Sequence, residues 1–148
     1  MAAWLVWGLL AALVAFAAYV RLAPSDPGRW HVSPSLYGWD HGGPWDQVVA
    51  MEGGASLRLS SSVGAPEALL ERLDAVALAT PRTTRLAGSV AEGRITWVTR
   101  SALWGFPDYT TAEAREDGLY LYSRLRFGRG DMGVNAARLA AWLGALGR

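Results

Sequence analysis

The feature that most constrains this chain is an uncharged apolar run at its N-terminal end. Residues 1–20 read MAAWLVWGLLAALVAFAAYV and contain no charged side chain. A helix of that length spans roughly 30 Å at about 1.5 Å per residue, which matches the hydrocarbon core of a bilayer. Tryptophans stand near one end of the run, and Tyr19 and Arg21 stand at the other, where interfacial anchors are expected. The run therefore predicts a transmembrane anchor over residues 1–22.

The apolar run has two other interpretations. One is a cleaved signal peptide, because Ala15-Phe16-Ala17 resembles a small-residue cleavage site. No basic residue precedes the run, however, and the run is longer than the apolar region of most signal peptides. The other is a buried helix of a soluble protein, but the run has no polar face. An uncleaved anchor remains the prediction.

The charges beside the run bear on which side of the membrane the rest of the chain lies. Arg21 and Arg29 follow the run, and no basic side chain precedes it. Taken alone, the positive-inside bias would hold the C-terminal part of the chain in the cytoplasm.

Composition excludes several classes of protein. All 14 basic residues are arginine, because the chain contains no lysine, and it contains no cysteine either. These absences exclude a disulfide scaffold, a Cys-ligated zinc or iron–sulfur site, a catalytic cysteine and a Schiff-base lysine. The 13 acidic residues bring the formal net charge to +1, which argues against a nucleic-acid partner bound through phosphate neutralisation.

Residues 23–54 read as a tether rich in proline, glycine and tryptophan. The breakers leave no helical or strand period, yet Trp30, Trp39 and Trp45 are more aromatic surface than a solvated linker carries. These rings either dock on the following domain, which we favour, or lie at the membrane headgroups. Metal ligands could be sought among His31, Asp40, His41 and Asp46. Their spacing matches no ligand pattern, and we predict no metal site.

Residues 55–148 predict an α+β domain. The clearest alternating run covers residues 119–127, and Asp117-Gly118 before it signals a hairpin. Pro66-Glu67 opens a helix with an apolar stripe, and a second helix ends the chain. Short connections favour an antiparallel meander with both helices on its apolar face. The predicted fold is a single transmembrane helix, then a two-layer sandwich of an antiparallel meander sheet with two helices.

The most unusual local sequence is the glycine–arginine loop, residues 128–133, which reads Gly-Arg-Gly-Asp-Met-Gly. It matches the G-x-G-x-x-G pattern of dinucleotide-binding proteins, but the fifteen residues after Gly133 leave no room for the second parallel strand that such a site needs. We therefore predict no cofactor. Glycines and arginines beside a helix N-terminus could instead hold a carboxylate or phosphate. The candidate ligand- or anion-binding residues are Arg124, Arg126, Arg129, Arg138, Gly128, Gly130, Gly133 and Asn135.

The same residues have a purely structural interpretation. Asp131 or Asn135 could cap the final helix, and the arginines could pair with Asp108, Glu113 or Asp131. Together with Ser123, Asp108 and Asp131 are the candidates for such a structural role. The structural interpretation is favoured over ligand binding.

A family resemblance is concentrated around this loop. The residues that carry it are Ser123-Arg124-Leu125-Arg126-Phe127-Gly128, then Asp131-Met132-Gly133-Val134-Asn135 and Arg138. They resemble the C-terminal signature of the bacterial and plastid family DUF1499, a domain of unknown function, in which Ser-Arg-Ser-Arg-x-Gly precedes Asp-x-Gly-x-Asn and a helical Arg. Gly105-Phe106-Pro107-Asp108 resembles a second, weaker motif of that family. Leu125 departs from the signature, because it replaces the second serine.

The resemblance covers roughly residues 33–146 and implies no known activity. Members of the family often carry export signals or membrane anchors, which implies a bacterial protein of the inner (plasma) membrane with its soluble domain on the periplasmic side. This implication conflicts with the charge bias of Arg21 and Arg29, and we favour the periplasmic side.

Three functions remain in view. We favour a non-catalytic, membrane-anchored interaction or accessory subunit, whose partners are the bilayer and, as an alternative, another membrane protein or complex. The second is binding of a small anionic or amphipathic ligand at the glycine–arginine loop. The third is an enzyme, which would need carboxylates such as Asp108 and Asp131 to meet in a cleft, since the only histidines lie in the tether.

Overall fold

The computed structural model of the protein describes residues 2–37 and 43–147. The helices are α1 (Ala2–Leu22), the single-turn α2 (Pro27–Trp30), α3 (Pro66–Ala79) and α4 (Val134–Ala145). The strands are β1 (Val48–Met51), β2 (Gly54–Ser60), β3 (Thr83–Ser89), β4 (Arg94–Arg100), β5 (Pro107–Arg115) and β6 (Gly118–Leu125). Short 3-10 turns cover Pro34–Tyr37 and Ser61–Val63.

The six strands form one open antiparallel sheet in the order β1-β2-β6-β5-β4-β3. Strands β3 to β6 are a meander, as their short connections predict. The hairpin signalled by Asp117-Gly118 is present, with Arg115 opposite Gly118 in the β5–β6 pair. The predicted α+β class, with an apolar N-terminal helix before an antiparallel sheet and helices, is confirmed.

One face of the sheet, which we call the helix face, carries the core beneath α3 and α4. Alternation along β6 sends Leu119 and Leu121 to this face, where they are buried. Trp97 from β4 meets Trp142 from α4 edge-to-face, with 5.7 Å between ring centroids. The remaining large buried side chains of this core include Leu57, Leu59, Leu69, Leu70, Leu73, Ile95 and Leu139.

Strand β1 lies in the segment where the breakers left no strand period to recognise, and it was not predicted. Its four residues pair with β2, with Val48 opposite Leu57 and Met51 opposite Gly54. Gly53 supplies the left-handed turn between the two strands at φ 69°. A four-residue edge strand adopts its conformation because of this pairing, and no periodicity within its own residues indicates it.

The opposite, outer face of the sheet is covered by residues 23–35, which we call the strap. The ring of Trp30 stacks on that of Tyr109 with 3.9 Å between centroids and 11° between planes. Ser25 and Tyr109 share a hydrogen bond of 2.7 Å between their hydroxyl oxygens. The imidazole of His31 bonds Thr96 Oγ1 at 2.9 Å and Glu92 Oε1 at 2.9 Å. The strap is thus a packed part of the domain.

Trp45 also docks on the outer face. Its ring meets Tyr120 edge-to-face at 5.8 Å, and the Arg58 guanidinium lies 4.5 Å from its centroid. Trp39, Asp40 and His41, which belong to the docking and metal-ligand interpretations of the tether, lie outside the described residues. Among residues 2–37 and 43–147, no three histidine, aspartate or glutamate side chains come together as a metal site would require.

Helix α1 is long and apolar enough, by length and composition, to cross a membrane over residues 3–22. Most of its surface is exposed, but its last turns contact the domain. Phe16 lies 6.1 Å from Phe106 and Tyr19 lies 6.0 Å from Phe127, measured between ring centroids. Val20 is buried, so the end of α1 is packed against the domain rather than joined to it by a loose linker.

Candidate functional site

The glycine–arginine loop joins the end of β6 to the start of α4. Gly133 adopts a left-handed conformation at φ 78° immediately before α4, which a glycine tolerates without strain. The Asp131 carboxylate accepts hydrogen bonds from the backbone N–H groups of Gly133 at 3.1 Å and Asn135 at 2.9 Å. A side chain of the protein therefore already occupies the helix N-terminus, as the structural interpretation of the loop anticipates.

The sheet separates the four candidate arginines. Arg124 and Arg126 lie on the outer face, where Arg124 Nη2 donates to the Trp30 carbonyl at 2.8 Å. Arg126 Nη1 donates to the Pro24 carbonyl at 2.9 Å and to the Tyr109 hydroxyl at 3.2 Å. Arg138 stands on α4, on the helix face, and Arg129 is exposed in the loop. Arg124 and Arg126 hold the strap, and the four side chains do not line one pocket.

A buried polar cluster lies on the helix face where β5, β6 and α4 meet. Ser123 Oγ donates to Asn135 Oδ1 at 2.6 Å and shares a 2.7 Å hydrogen bond with Thr110 Oγ1. Arg138 donates to Ser123 Oγ at 3.3 Å, to Asn135 Oδ1, and to Asp108 Oδ2 at 3.1 Å. Ser123, Thr110 and Asn135 are almost completely buried. The two sequence motifs that carry the family resemblance meet here through the Asp108–Arg138 ion pair.

The two carboxyl groups of this region have opposite pKa shifts. Burial raises the pKa of Asp108 more than the Arg138 guanidinium lowers it, and the nearby Asp131 charge adds to the rise. Burial alone would also raise the pKa of Asp131. The N–H donors of Asn135 and Gly133 outweigh that effect and hold the pKa of Asp131 below its ordinary value. Asp131 is therefore the carboxylate of the pair that keeps its charge as pH falls.

Both carboxyl groups line a cleft of about 240 Å³ between the loop and the segment before β5. Most of the other lining side chains are apolar. They are Phe106, Leu125, Phe127, Met132 and Val134, with Ser101 and Gly130 completing the wall. Since Phe106 and Phe127 also contact Phe16 and Tyr19, the cleft opens beside the end of α1. Leu125, the departure from the family signature, adds apolar surface to this wall.

The cleft combines charged groups with an apolar rim. Two carboxyl groups, one of them paired with Arg138, give the cleft a net negative charge when both are ionised, within an apolar rim. Both oxygens of Asp131 accept backbone N–H groups, and Asp108 is paired with Arg138. The fold brings Phe106 and Phe127 together at this rim, with their rings 5.9 Å apart between centroids, and sets both beside α1.

Comparison with known proteins identifies the family. The model of the family described as "protein of unknown function (DUF1499)" matches residues 54–146, and the chain belongs to that family. The match runs from β2 to α4 and includes every member of the buried polar cluster. No curated protein and no solved structure matches the chain.

Proposed function

We propose that the protein is a non-catalytic accessory domain that α1 anchors to a membrane and holds with one end against the bilayer. The observation that carries this proposal is the packing of the last turns of α1 on the domain. Val20 is buried, Arg21 Nη2 donates to the Leu103 carbonyl at 2.7 Å, and aromatic rings close the contact. An anchor fixed in this way dictates the orientation of the domain relative to the bilayer.

The depth of the domain follows from helix geometry. Phe16 precedes Leu22 by six residues, so the Phe16–Phe106 contact lies about 9 Å from the end of α1 along its axis. If α1 spans the bilayer, residues near Phe106 reach the boundary between headgroups and acyl chains. Large apolar side chains are exposed nearby, with Leu103 73% and Met132 97% exposed. These side chains would enter the membrane interface, where their apolar surface is stabilised.

The absence of cysteine allows a direct test of this depth. Single cysteines at Leu103, Met132 and Glu67 can each carry an environment-sensitive fluorophore in the full chain reconstituted in vesicles. Glu67 is the control, because it is exposed at the start of α3. We expect brominated lipids to quench the label at positions 103 and 132 and not at 67. Equal absence of quenching at all three positions would contradict the proposed orientation, and release of the chain by alkaline carbonate would contradict anchoring.

The side of the membrane is part of the proposal. We place the domain on the periplasmic side of the bacterial inner membrane, which the family resemblance supports and the charges of Arg21 and Arg29 oppose. Alkaline phosphatase and green fluorescent protein fused separately to the C-terminus report opposite sides. We expect an active phosphatase and a dark fluorescent protein, and the reverse pattern would place the domain in the cytoplasm.

Catalysis is the weaker assignment even though Asp108 and Asp131 line one cleft. An acid–base enzyme needs carboxyl oxygens that can reach a substrate. Both Asp131 oxygens accept helix N–H groups, and Asp108 is held by Arg138. Both carboxyl groups are therefore engaged in contacts that stabilise the fold.

The cleft itself supports a second candidate function, which is binding of an amphipathic molecule. An apolar tail fits the rim formed by Phe106, Phe127 and Met132, and a neutral or cationic head suits the carboxyl groups. Dodecanoate, dodecanol and dodecylamine share one tail and differ in head charge. We expect dodecanol and dodecylamine to raise the melting temperature. Met132→Asp should abolish this increase, while the control Leu78→Asp on α3 should preserve it. A larger effect of dodecanoate would favour an anionic ligand, and no effect of any probe would refute this function.

A further inference from the structure

A second group of arginines, outside the glycine–arginine loop, lines an open groove at the C-terminal end of α1. The groove has a volume of about 390 Å³ and brings together Arg21, Arg82 and Arg100. Arg21 ends the apolar helix, Arg82 precedes β3, and Arg100 ends β4. The other lining residues are Thr84, Ser101, Ala102 and Gly105.

The three guanidinium groups bond only backbone carbonyls within residues 2–37 and 43–147. Arg82 Nε donates to the Arg100 carbonyl at 3.1 Å. Arg100 Nη1 donates to the carbonyls of Gly105 at 3.0 Å and Val20 at 3.5 Å. These bonds fix the positions of the side chains and leave N–H groups of each guanidinium available to a ligand.

The groove also has an excess of positive charge. Arginines elsewhere in the described structure, such as Arg85, Arg94 and Arg138, form ion pairs with carboxylates. Arg21, Arg82 and Arg100 form no such pair in the same part of the chain. Acidic and basic residues nearly balance over the chain as a whole, so the three clustered cations are a local excess of positive charge. Such a cluster attracts an anion.

The position of the groove identifies the kind of anion. Arg21 flanks the apolar run, where basic side chains reach the lipid headgroups. Exposed Leu103 and Trp104 belong to the loop whose carbonyl accepts the Arg21 hydrogen bond. Apolar side chains at the interface next to a cluster of arginines are the two components that hold a protein surface on anionic lipid.

We propose that Arg21, Arg82 and Arg100 form a binding site for the phosphate of an anionic phospholipid headgroup. Guanidinium groups match phosphate oxygens in charge and in the direction of their N–H groups, and several together can hold one phosphate. The proposal rests on the membrane anchoring proposed above and adds to it a preference for the charge of the lipid. A bound headgroup would add a further link between the end of α1 and the paired strands β3 and β4.

The test separates this site from anchoring. Full chain purified in a neutral detergent is titrated with phosphatidylglycerol, phosphatidylcholine or inorganic phosphate, and binding is read from native mass spectra and from the melting temperature. We expect phosphatidylglycerol to bind several-fold more tightly than phosphatidylcholine. Arg82→Gln should weaken that binding about fivefold, the effect of about 1 kcal/mol per interfacial arginine. Arg72→Gln is the matched control, because Arg72 is an exposed arginine that also donates to one backbone carbonyl.

Every outcome bears on the proposal. Equal binding of the two lipids, or an equal loss of phosphatidylglycerol binding in both variants, would overturn the headgroup site. Membrane anchoring is measured separately, by flotation of the chain on phosphatidylcholine vesicles, and could still hold in that case. Failure to float would instead refute the anchoring. Inorganic phosphate that competes at the same site and binds as tightly as the lipid would show that a soluble phosphate is the ligand. If Arg82→Gln does not fold, the comparison of the two lipids on the unaltered chain decides the question.

Discussion

Replacing Trp30 with alanine tests whether the strap is part of the folded domain or a loose tether. Trp30 is only 8% exposed, and its ring contacts both the ring of Tyr109 and the guanidinium of Arg124. A tryptophan side chain buries roughly 200 Å², which at about 25 cal/mol per Å² gives about 5 kcal/mol. Partial burial in the unfolded chain reduces this to about 3–4 kcal/mol, and loss of the ring stack adds about 1 kcal/mol.

The expected cost of Trp30→Ala is therefore about 4 kcal/mol of unfolding free energy. The hydrogen bond from Arg124 to the backbone carbonyl of residue 30 survives the change, so the cost reports the ring itself. Urea denaturation of the full chain in neutral detergent, followed by the far-ultraviolet circular dichroism of the sheet, measures it. A loss of this size is a large fraction of the 5–15 kcal/mol of unfolding free energy typical of a small domain.

Trp104→Ala is the matched control for the strap prediction. Trp104 is half-exposed in the loop before β5, and its removal should cost about 0.5 kcal/mol. If Trp30→Ala costs no more than Trp104→Ala, the strap does not stabilise the sheet and our account of the outer face is wrong.

Further predictions concern the helix cap, the response to acid and the pairing of β2 with β6. Asp131→Ala should lower the unfolding free energy by about 1–2 kcal/mol in denaturation at neutral pH, because two helix N–H groups lose their acceptor. Because the folded pKa of Asp131 is lowered, its stabilisation is full above about pH 3.9 and is lost as pH falls through the folded pKa, so Asp131→Asn should flatten the stability profile below about pH 4. The raised pKa of Asp108 has the opposite effect, because its ionised form lowers the unfolding free energy at neutral pH. Protonation of Asp108 should restore that free energy as pH falls through the folded pKa to about pH 3.9, and Asp108→Asn should remove this dependence. Gly54→Val should cost about 1–3 kcal/mol, because a side chain there collides with the Ser123 carbonyl, while Gly130→Ala, which meets no neighbour, should be near neutral in the same denaturation assay.

Several local features of the candidate site could be predicted from the sequence, but the separation of its arginines by the sheet could not. Alternation along β6 already sets Ser123 and Arg124 on opposite faces, and the cap by Asp131 follows from a carboxylate just before a helix. Glycine and arginine spacing left one anion site at the loop as the alternative to a structural role, which was favoured. The fold instead gives Arg124 to the strap and Arg138 to Asp108, because a sheet lies between them.

The arginine groove had no sequence signal at all. Arg21 and the Leu103 carbonyl that it bonds are 82 residues apart, and Val20 and Arg100 are 80 apart. No periodicity or motif links positions at such separations. Only the docking of α1 beside the ends of β4, β5 and β6 brings them together.

What the sequence by itself determined is local: the apolar helix, the strands and helices of the domain, the β5–β6 hairpin and the family signature. The helices, strands and hairpin follow from periodicity, turn chemistry or capping within a few residues, and the signature is a short stretch of motif residues. Tertiary structure decided which face each arginine occupies, what covers the outer face, and how the end of α1 meets the domain. These contacts join segments that are distant in the chain, and their energies come from burial and from charge pairing that exist only once the sheet has formed.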